Sequence, residues 1–207
     1  MKPQKLRWSK VYESTEEELV AFLGSRSVIA TRMECEAMQE TVEQYKQRLM
    51  GYLGTQDPIR VQAQTVSKIE RLVKAAPPVK LRKRPAPGKW SAAEILAHLA
   101  DTELVTGYRM RSILGAPGTP IAAYDQDKWA ESQNYANRDP NKSLQVLRTL
   151  REANLALLKS LQPEQWKQFG VHAERGEESI ERIVQMMAGH DINHLRQIEA
   201  ILAAKRP

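Results

Sequence analysis

One stretch near the end of the chain limits the fold more than any other. Ile180, Ile183, Met187, His190, His194, Ile198 and Ile201 are separated by 3, 4, 3, 4, 4 and 3 residues. Side chains spaced in this way share one face of an α-helix, whereas a strand alternates faces at every residue. The spacing predicts a helix from about Glu178 to Ala204. Its inward stripe is apolar except at two positions, where histidines stand one helical turn apart. A second long helix is predicted from Ser91 to about Leu114. Ser91 and Glu94 have capping-box spacing, and Ile95, His98, Thr102 and Val105 form its stripe, so His98 also points inward.

The other elements follow from the same reasoning. A helix with Val42, Tyr45, Leu49 and Tyr52 ends near Gly54. Asp57-Pro58 opens the next, with the proline in the first turn. Its stripe is Ile59, Val66, Ile69, Leu72 and Val73, and Pro77-Pro78 stops it. Gly115 to Asn137 is a long connection with a short helix around Asp125 to Ser132. Asp139-Pro140 then opens a helix with Leu144, Leu147, Leu150, Leu155, Leu158 and Leu161 inward, closed by Pro163. His172 to Gly176 is expected to be a polar turn. Four long helices with one connection of more than twenty residues imply a bundle with a crossover. Residues 1–40 differ: strand-like, helical, then β-prone segments suggest a small β-α-β appendage to a helical domain over 41–207. The expected class is therefore mainly α, a four-helix bundle with a long crossover plus a small N-terminal α/β appendage.

The chain has 207 residues, 42% of them hydrophobic. That suffices for a core, but no apolar run approaches the ~20 residues of a membrane span. The N-terminus lacks the apolar core of a signal peptide, and Cys35 is the single cysteine, so the expectation is a cytoplasmic protein. Cys35 is expected to be a small residue in a partly buried strand. The net charge of +6 concentrates at Lys80, Arg82, Lys83, Arg84 and Lys89. This cluster has no interleaved aromatics, no recognition helix and no glycine-rich phosphate loop. A solvated charged loop is expected there rather than a nucleic-acid site.

A lone buried histidine is most often a satisfied core residue. An i, i+4 pair facing a third imidazole is different. Each buried polar group left unpaired costs about 1–3 kcal/mol, and packing protonated imidazoles together costs more. A divalent cation shared by His98, His190 and His194 removes both costs, and this pair spacing is the one zinc helices use. Three protein ligands leave a coordination position open, as in catalytic zinc sites. Imidazole also suits nickel, copper and iron, so the ligands do not name the metal.

The blocks G-K-W-S-A-A-E-I-L-A-H-L-A-D-T-E and A-G-H-D-I-N-H-L-R-Q-I resemble the DinB-like (DinB/YfiT-like) superfamily. The resemblance extends from about Asp57 to Leu202, with P-A-P-G-K-W and H-x-E-R-G-x-E-S as further matching blocks. It implies a four-helix bundle with a long crossover and a three-histidine metal site. The first ligand matches His98, and the H-x-x-x-H pair matches His190 and His194. It also implies zinc or nickel, a common homodimer, and relatives that are thiol S-transferases or are called metal-dependent hydrolases. The expected function is activation of water or a substrate thiol at that site, on a small molecule that includes or accepts a low-molecular-weight thiol. The alternative is a non-catalytic metal- or ligand-binding or sensing bundle.

Other residues carry weaker expectations. Glu94 is read first as a cap and then as an outer-shell group. Asp191 and Asn193 either bond to a ligand's second nitrogen or lie on the helix surface. Gln197 is a candidate pocket residue, and His172 is expected to be an exposed turn residue. Tyr108, Arg109, Tyr124 and Trp129 are placed where a crossover shapes substrate entry, with no catalytic role assigned.

Overall fold

The computed structural model describes residues 40–204. The appendage expected over 1–40, Cys35 included, lies outside the described residues except for residue 40. Eight helices are described: α1 (Val42–Leu53), α2 (Pro58–Ala75), α3 (Pro78–Arg82), α4 (Ala92–Gly115), α5 (Gln126–Ser132), α6 (Pro140–Ser160), α7 (Pro163–Trp166) and α8 (Ile180–Ala203). A small sheet accompanies them, with β1 (Pro120–Ile121) parallel to β2 (Phe169–His172), and β2 antiparallel to β3 (Gly176–Ser179).

The helix starts follow local chemistry. Asp57 and Asp139 each accept two backbone N–H bonds at the first turns of α2 and α6. Ser91 and Glu94 form the complete capping box of α4, which satisfies two donors that have no intrahelical partner.

Pairwise contacts fix how the four long helices run. Gln62 donates to the carbonyl of Val184, and Ile69 and Val73 pack with Ile198, so α2 and α8 are parallel. Glu103 pairs with Arg151, and Met110 and Ile113 pack with Leu158, so α4 and α6 are parallel. His98 meets His190 and Thr106 meets Met187, so α4 and α8 are antiparallel. Likewise Arg151 reaches Gln62 and Arg148 reaches Glu70, which sets α6 antiparallel to α2. The order is up-down-down-up. Two consecutive parallel helices need a return along the bundle. α6 has 21 residues and is about 31 Å long at 1.5 Å per residue. Residues 116–139, carrying β1 and α5, make that return.

The core has two main clusters. One joins Val66, Ile69, Leu96, Leu99, Leu147 and Ile198, and the other joins Met110, Ile113, Leu158, Ile180 and Val184. Leu150 and Leu161, placed on the inward stripe by the sequence, are only half-buried. The space between two leucines of that stripe is taken instead by Arg151 and Asn154, both buried.

α1 lies directly on α8 because Gly189 has no side chain. A Cβ there would run into the carbonyl of Leu49. Gly189→Ala should push α1 off α8 and destabilise the fold by about 1–3 kcal/mol, the usual cost of overpacking. Denaturant unfolding checks this, and a variant as stable as the wild type would contradict the close approach.

Three expectations are corrected here. The polar turn expected over His172 to Gly176 is confined to 173–175, and His172 and Gly176 are the facing ends of the β2–β3 hairpin. Consequently α8 begins at Ile180, because Glu178 is spent in a strand. The basic cluster is not simply a solvated loop. Lys80 lies in α3 and donates to the carbonyl of Leu202 at 2.5 Å, Arg82 donates to the carbonyl of Ala136 at 3.1 Å, and Arg84 pairs with Glu94.

Candidate metal centre

His98 sits two turns into α4, with its phase set by the Ser91 cap. His190 and His194 lie in the second half of α8. Antiparallel packing of α4 and α8 brings all three together. The His98 and His194 Nε2 atoms each lie 3.0 Å from Nε2 of His190. All three candidate ligand atoms fall within 4.8 Å of one another. The three side chains are buried, and Trp90 covers His98 with its ring centroid 5.0 Å away.

Protons alone do not satisfy this arrangement. Nδ1 of His194 is 2.8 Å from Oε1 of Gln197. An amide oxygen only accepts, so Nδ1 carries the proton and Nε2 is a lone pair facing inward. His190 Nε2 then faces two nitrogens at once, and one proton cannot serve both contacts well. Nδ1 of His98 and Nδ1 of His190 are buried and have no partner. A divalent cation bound by three inward lone pairs would resolve the crowding, and three imidazoles are a donor set that such ions accept. Gln197 is then the outer-shell acceptor that fixes the His194 tautomer.

The electrostatics point the same way. Burial pushes the His194 imidazole down to about 4 from its ordinary 6.5. Burial, then the neighbouring imidazoles, hold His98 and His190 well below that value. All three are therefore neutral, as metal ligands must be. The unfolded chain takes up protons on these histidines below pH 6.5, while the folded chain resists until about pH 4 for His194. The contribution to stability is thus present above pH 6.5 and lost as pH falls toward about 4. Denaturation midpoints measured across that interval should decline, and a flat profile would contradict the buried neutral cluster.

Two hydroxyls adjoin the cluster. Oγ1 of Thr102 lies 3.4 Å from Nε2 of His98 and 3.0 Å from the hydroxyl of Tyr124. Tyr124 arrives on the crossover and packs against Trp129 at 4.5 Å. Burial raises its pKa, so it stays protonated. Thr102 was legible as part of the α4 stripe, but its pairing with Tyr124 depends on where the crossover lands.

Behind the histidines lies an ionic junction that joins four helices. Arg151 of α6 donates through both terminal nitrogens to Asp191 of α8, at 2.6 and 3.1 Å. It also pairs with Glu103 of α4 at 2.8 Å and donates to the Gln62 carbonyl of α2 at 2.9 Å. Asn154 donates to Glu103 at 2.8 Å. Burial opposes the Arg151 charge, but Asp191 and Glu103 more than offset it and raise its pKa. Sequence reasoning missed this network, although a charged residue, Arg151, among the leucines of the α6 stripe was its signal.

The remaining candidates divide. Asp191 is not on the helix surface; it is wholly buried on Arg151. Asn193 accepts from Arg48 at 3.1 Å. Glu94 is a cap and a partner of Arg84, with no bond to His98. His172 is not an exposed turn residue, with only 2% of its surface accessible. Tyr108 is 72% exposed.

A family model described as the DinB superfamily matches residues 63–198. "Putative metal-dependent hydrolase OB0413" of Oceanobacillus iheyensis is 31% identical over 116 residues, covering 56% of this chain and 66% of that protein. The match thus spans just under two thirds of that relative. "Putative metal-dependent hydrolase YfiT" of Bacillus subtilis is 26% identical over 141 residues, 68% of this chain and 79% of that one. The solved structure of YfiT, described as having "an unusual four-helix bundle topology", superposes with a TM-score of 0.65 at 23% identity. It covers 79% of this chain and 89% of YfiT. The up-down-down-up bundle is therefore a shared architecture. The matched segment carries His98, His190 and His194 on the two helices that face each other, and this chain belongs to the DinB superfamily.

Proposed function

We propose that His98, His190 and His194 hold one divalent metal ion, zinc or nickel, and that the chain uses it to activate water or a thiol against a small-molecule substrate. The observation carrying this reading is the convergence of three buried Nε2 atoms that no set of protons satisfies. Relatives named for metal-dependent hydrolysis support it. When bound, such an ion acts as a Lewis acid and lowers the pKa of a coordinated water or thiol.

The chain's own residues do the rest. Gln197 holds the His194 ring with its lone pair inward. The Thr102 and Tyr124 hydroxyls supply hydrogen bonds to the reacting group beside His98. Trp90 excludes water from the other side of that ring. A thiol nucleophile is favoured over water by one feature: the buried carboxylates Asp191 of α8 and Glu103 of α4 are both bound to Arg151, and Glu94 of α4 is bound to Arg84, so none of them is a free general base. A thiol ionises more easily than water and needs one less. A homodimer in the cytoplasm belongs to the same reading.

Elemental analysis of tag-free protein should find about one zinc or nickel per chain, as a single three-histidine site requires. Turnover of an ester and electrophile panel, with and without small thiols, should be lost on chelation and restored by the metal. Protein that is metal-free yet fully active would refute the proposal.

A further inference from the structure

Arg109 shares a face of α4 with His98 and Thr102, at successive steps of 4 and 7 residues. Its guanidinium is half-buried. One terminal nitrogen donates to the carbonyl of Ala122 at 2.5 Å, and the group lies 5.7 Å from the centre of the Tyr124 ring. No carboxylate pairs with it among the described residues. Burial, and then the Arg175 guanidinium, disfavour its charge. Tyr124, Glu178 and Glu174 favour the charge without outweighing those two effects, and both Glu178 oxygens are on Arg175, at 2.6 and 2.8 Å.

His172 sits beside this cation. It pairs in register with Ile121, the residue before Ala122. Its Nδ1 accepts the Glu174 backbone N–H at 3.2 Å, so the proton resides on Nε2. That N–H has no protein acceptor among the described residues and, although the residue is only 2% exposed, it keeps contact with solvent. A half-buried guanidinium without an ion pair and an N–H without a protein acceptor both have donors left for an anion that reaches them from solvent.

We propose that Arg109 and the Nε2–H of His172 form an oxyanion subsite that takes a carboxylate or phosphoryl group of the substrate, with Arg175, held by Glu178, adding positive charge beside them. Arginine's planar fork suits either group. Tyr124 spans the gap to the histidines. Its ring faces Arg109, and its hydroxyl bonds Thr102 next to His98. The anionic end of a small molecule held here leaves its other end at the three nitrogens. That last role rests on the metal reading, whereas the subsite itself does not.

The test uses the full chain, metal-loaded and metal-free, titrated with inorganic phosphate and separately with succinate. Saturable binding at millimolar concentrations is expected for at least one, and the preferred probe identifies the group. Arg109→Gln should weaken it at least about tenfold, and Arg109→Lys should fall between, keeping charge without the fork. His172 imidazole resonances in wild-type protein should shift during the titration, a readout independent of how the variants fold. His98→Ala should lose metal but keep oxyanion binding, which separates this inference from the metal proposal. No saturable binding, unmoved His172 resonances, or equal affinity in Arg109→Gln would overturn it.

Discussion

Replacing His190 with alanine is expected to abolish stoichiometric metal binding and, with it, the metal-dependent part of the protein's stability. His190 is the common neighbour of the other two nitrogens, 3.0 Å from each, so its removal leaves two ligands that do not contact each other through it. Zinc sites with four protein ligands are worth about 10–16 kcal/mol in all, or roughly 3 kcal/mol per ligand. Losing one should therefore weaken affinity by at least about a hundredfold. For wild-type protein, metal at about a thousand times its dissociation constant stabilises by about 4 kcal/mol. Thermal unfolding with added zinc or nickel and with chelator should show that increment in the wild type and not in His190→Ala. The metal-free proteins should differ less, because the substitution also removes an imidazole with an unpaired buried Nδ1. Equal metal content and equal chelator sensitivity in the two proteins would remove the proposed centre.

Arg151→Met is expected to be the most destabilising single change in the bundle core away from the histidines. Methionine fills similar space but leaves Asp191 and Glu103 buried without their cation. Breaking a buried pair by removing one partner costs about 3–5 kcal/mol, and here two carboxylates, the Gln62 carbonyl and four helices are involved. Asp191→Asn should cost less, since Arg151 keeps Glu103 and an amide oxygen still accepts. Urea midpoints for the two variants should fall in that order. Should Arg151→Met match the wild type, the junction would be dispensable and α4, α6 and α8 would be registered by apolar packing alone.

Much of the architecture was written locally. The Ser91 capping box and the Asp57-Pro58 and Asp139-Pro140 pairs announced three helix starts, and in each the first residue caps backbone N–H groups two or three residues on. The α8 stripe placed His190 and His194 inward, and the α4 stripe placed His98 inward, because a helix converts spacing into a face. The length of the connection after α4 implied a crossover, and the parallel run of α4 and α6 is what requires it.

The chain alone also pointed to the chemistry of three imidazoles, since their residue types and phases are local properties. Local patterning said nothing reliable about partners far apart in sequence. It left Asp191 between a bond to a ligand's second nitrogen and the helix surface, because its phase is off the apolar stripe, yet α6 covers that side and supplies Arg151. It read His172 as a turn residue because Glu174 and Arg175 are polar, yet β1, from the crossover fifty residues earlier, pairs with its strand and buries it. The Tyr124–Thr102 contact arose in the same way. Periodicity and capping fix each helix because their interactions span a few residues. Which faces meet, and which charges are sealed between them, is decided only when the bundle closes and long-range packing selects one pairing of those faces.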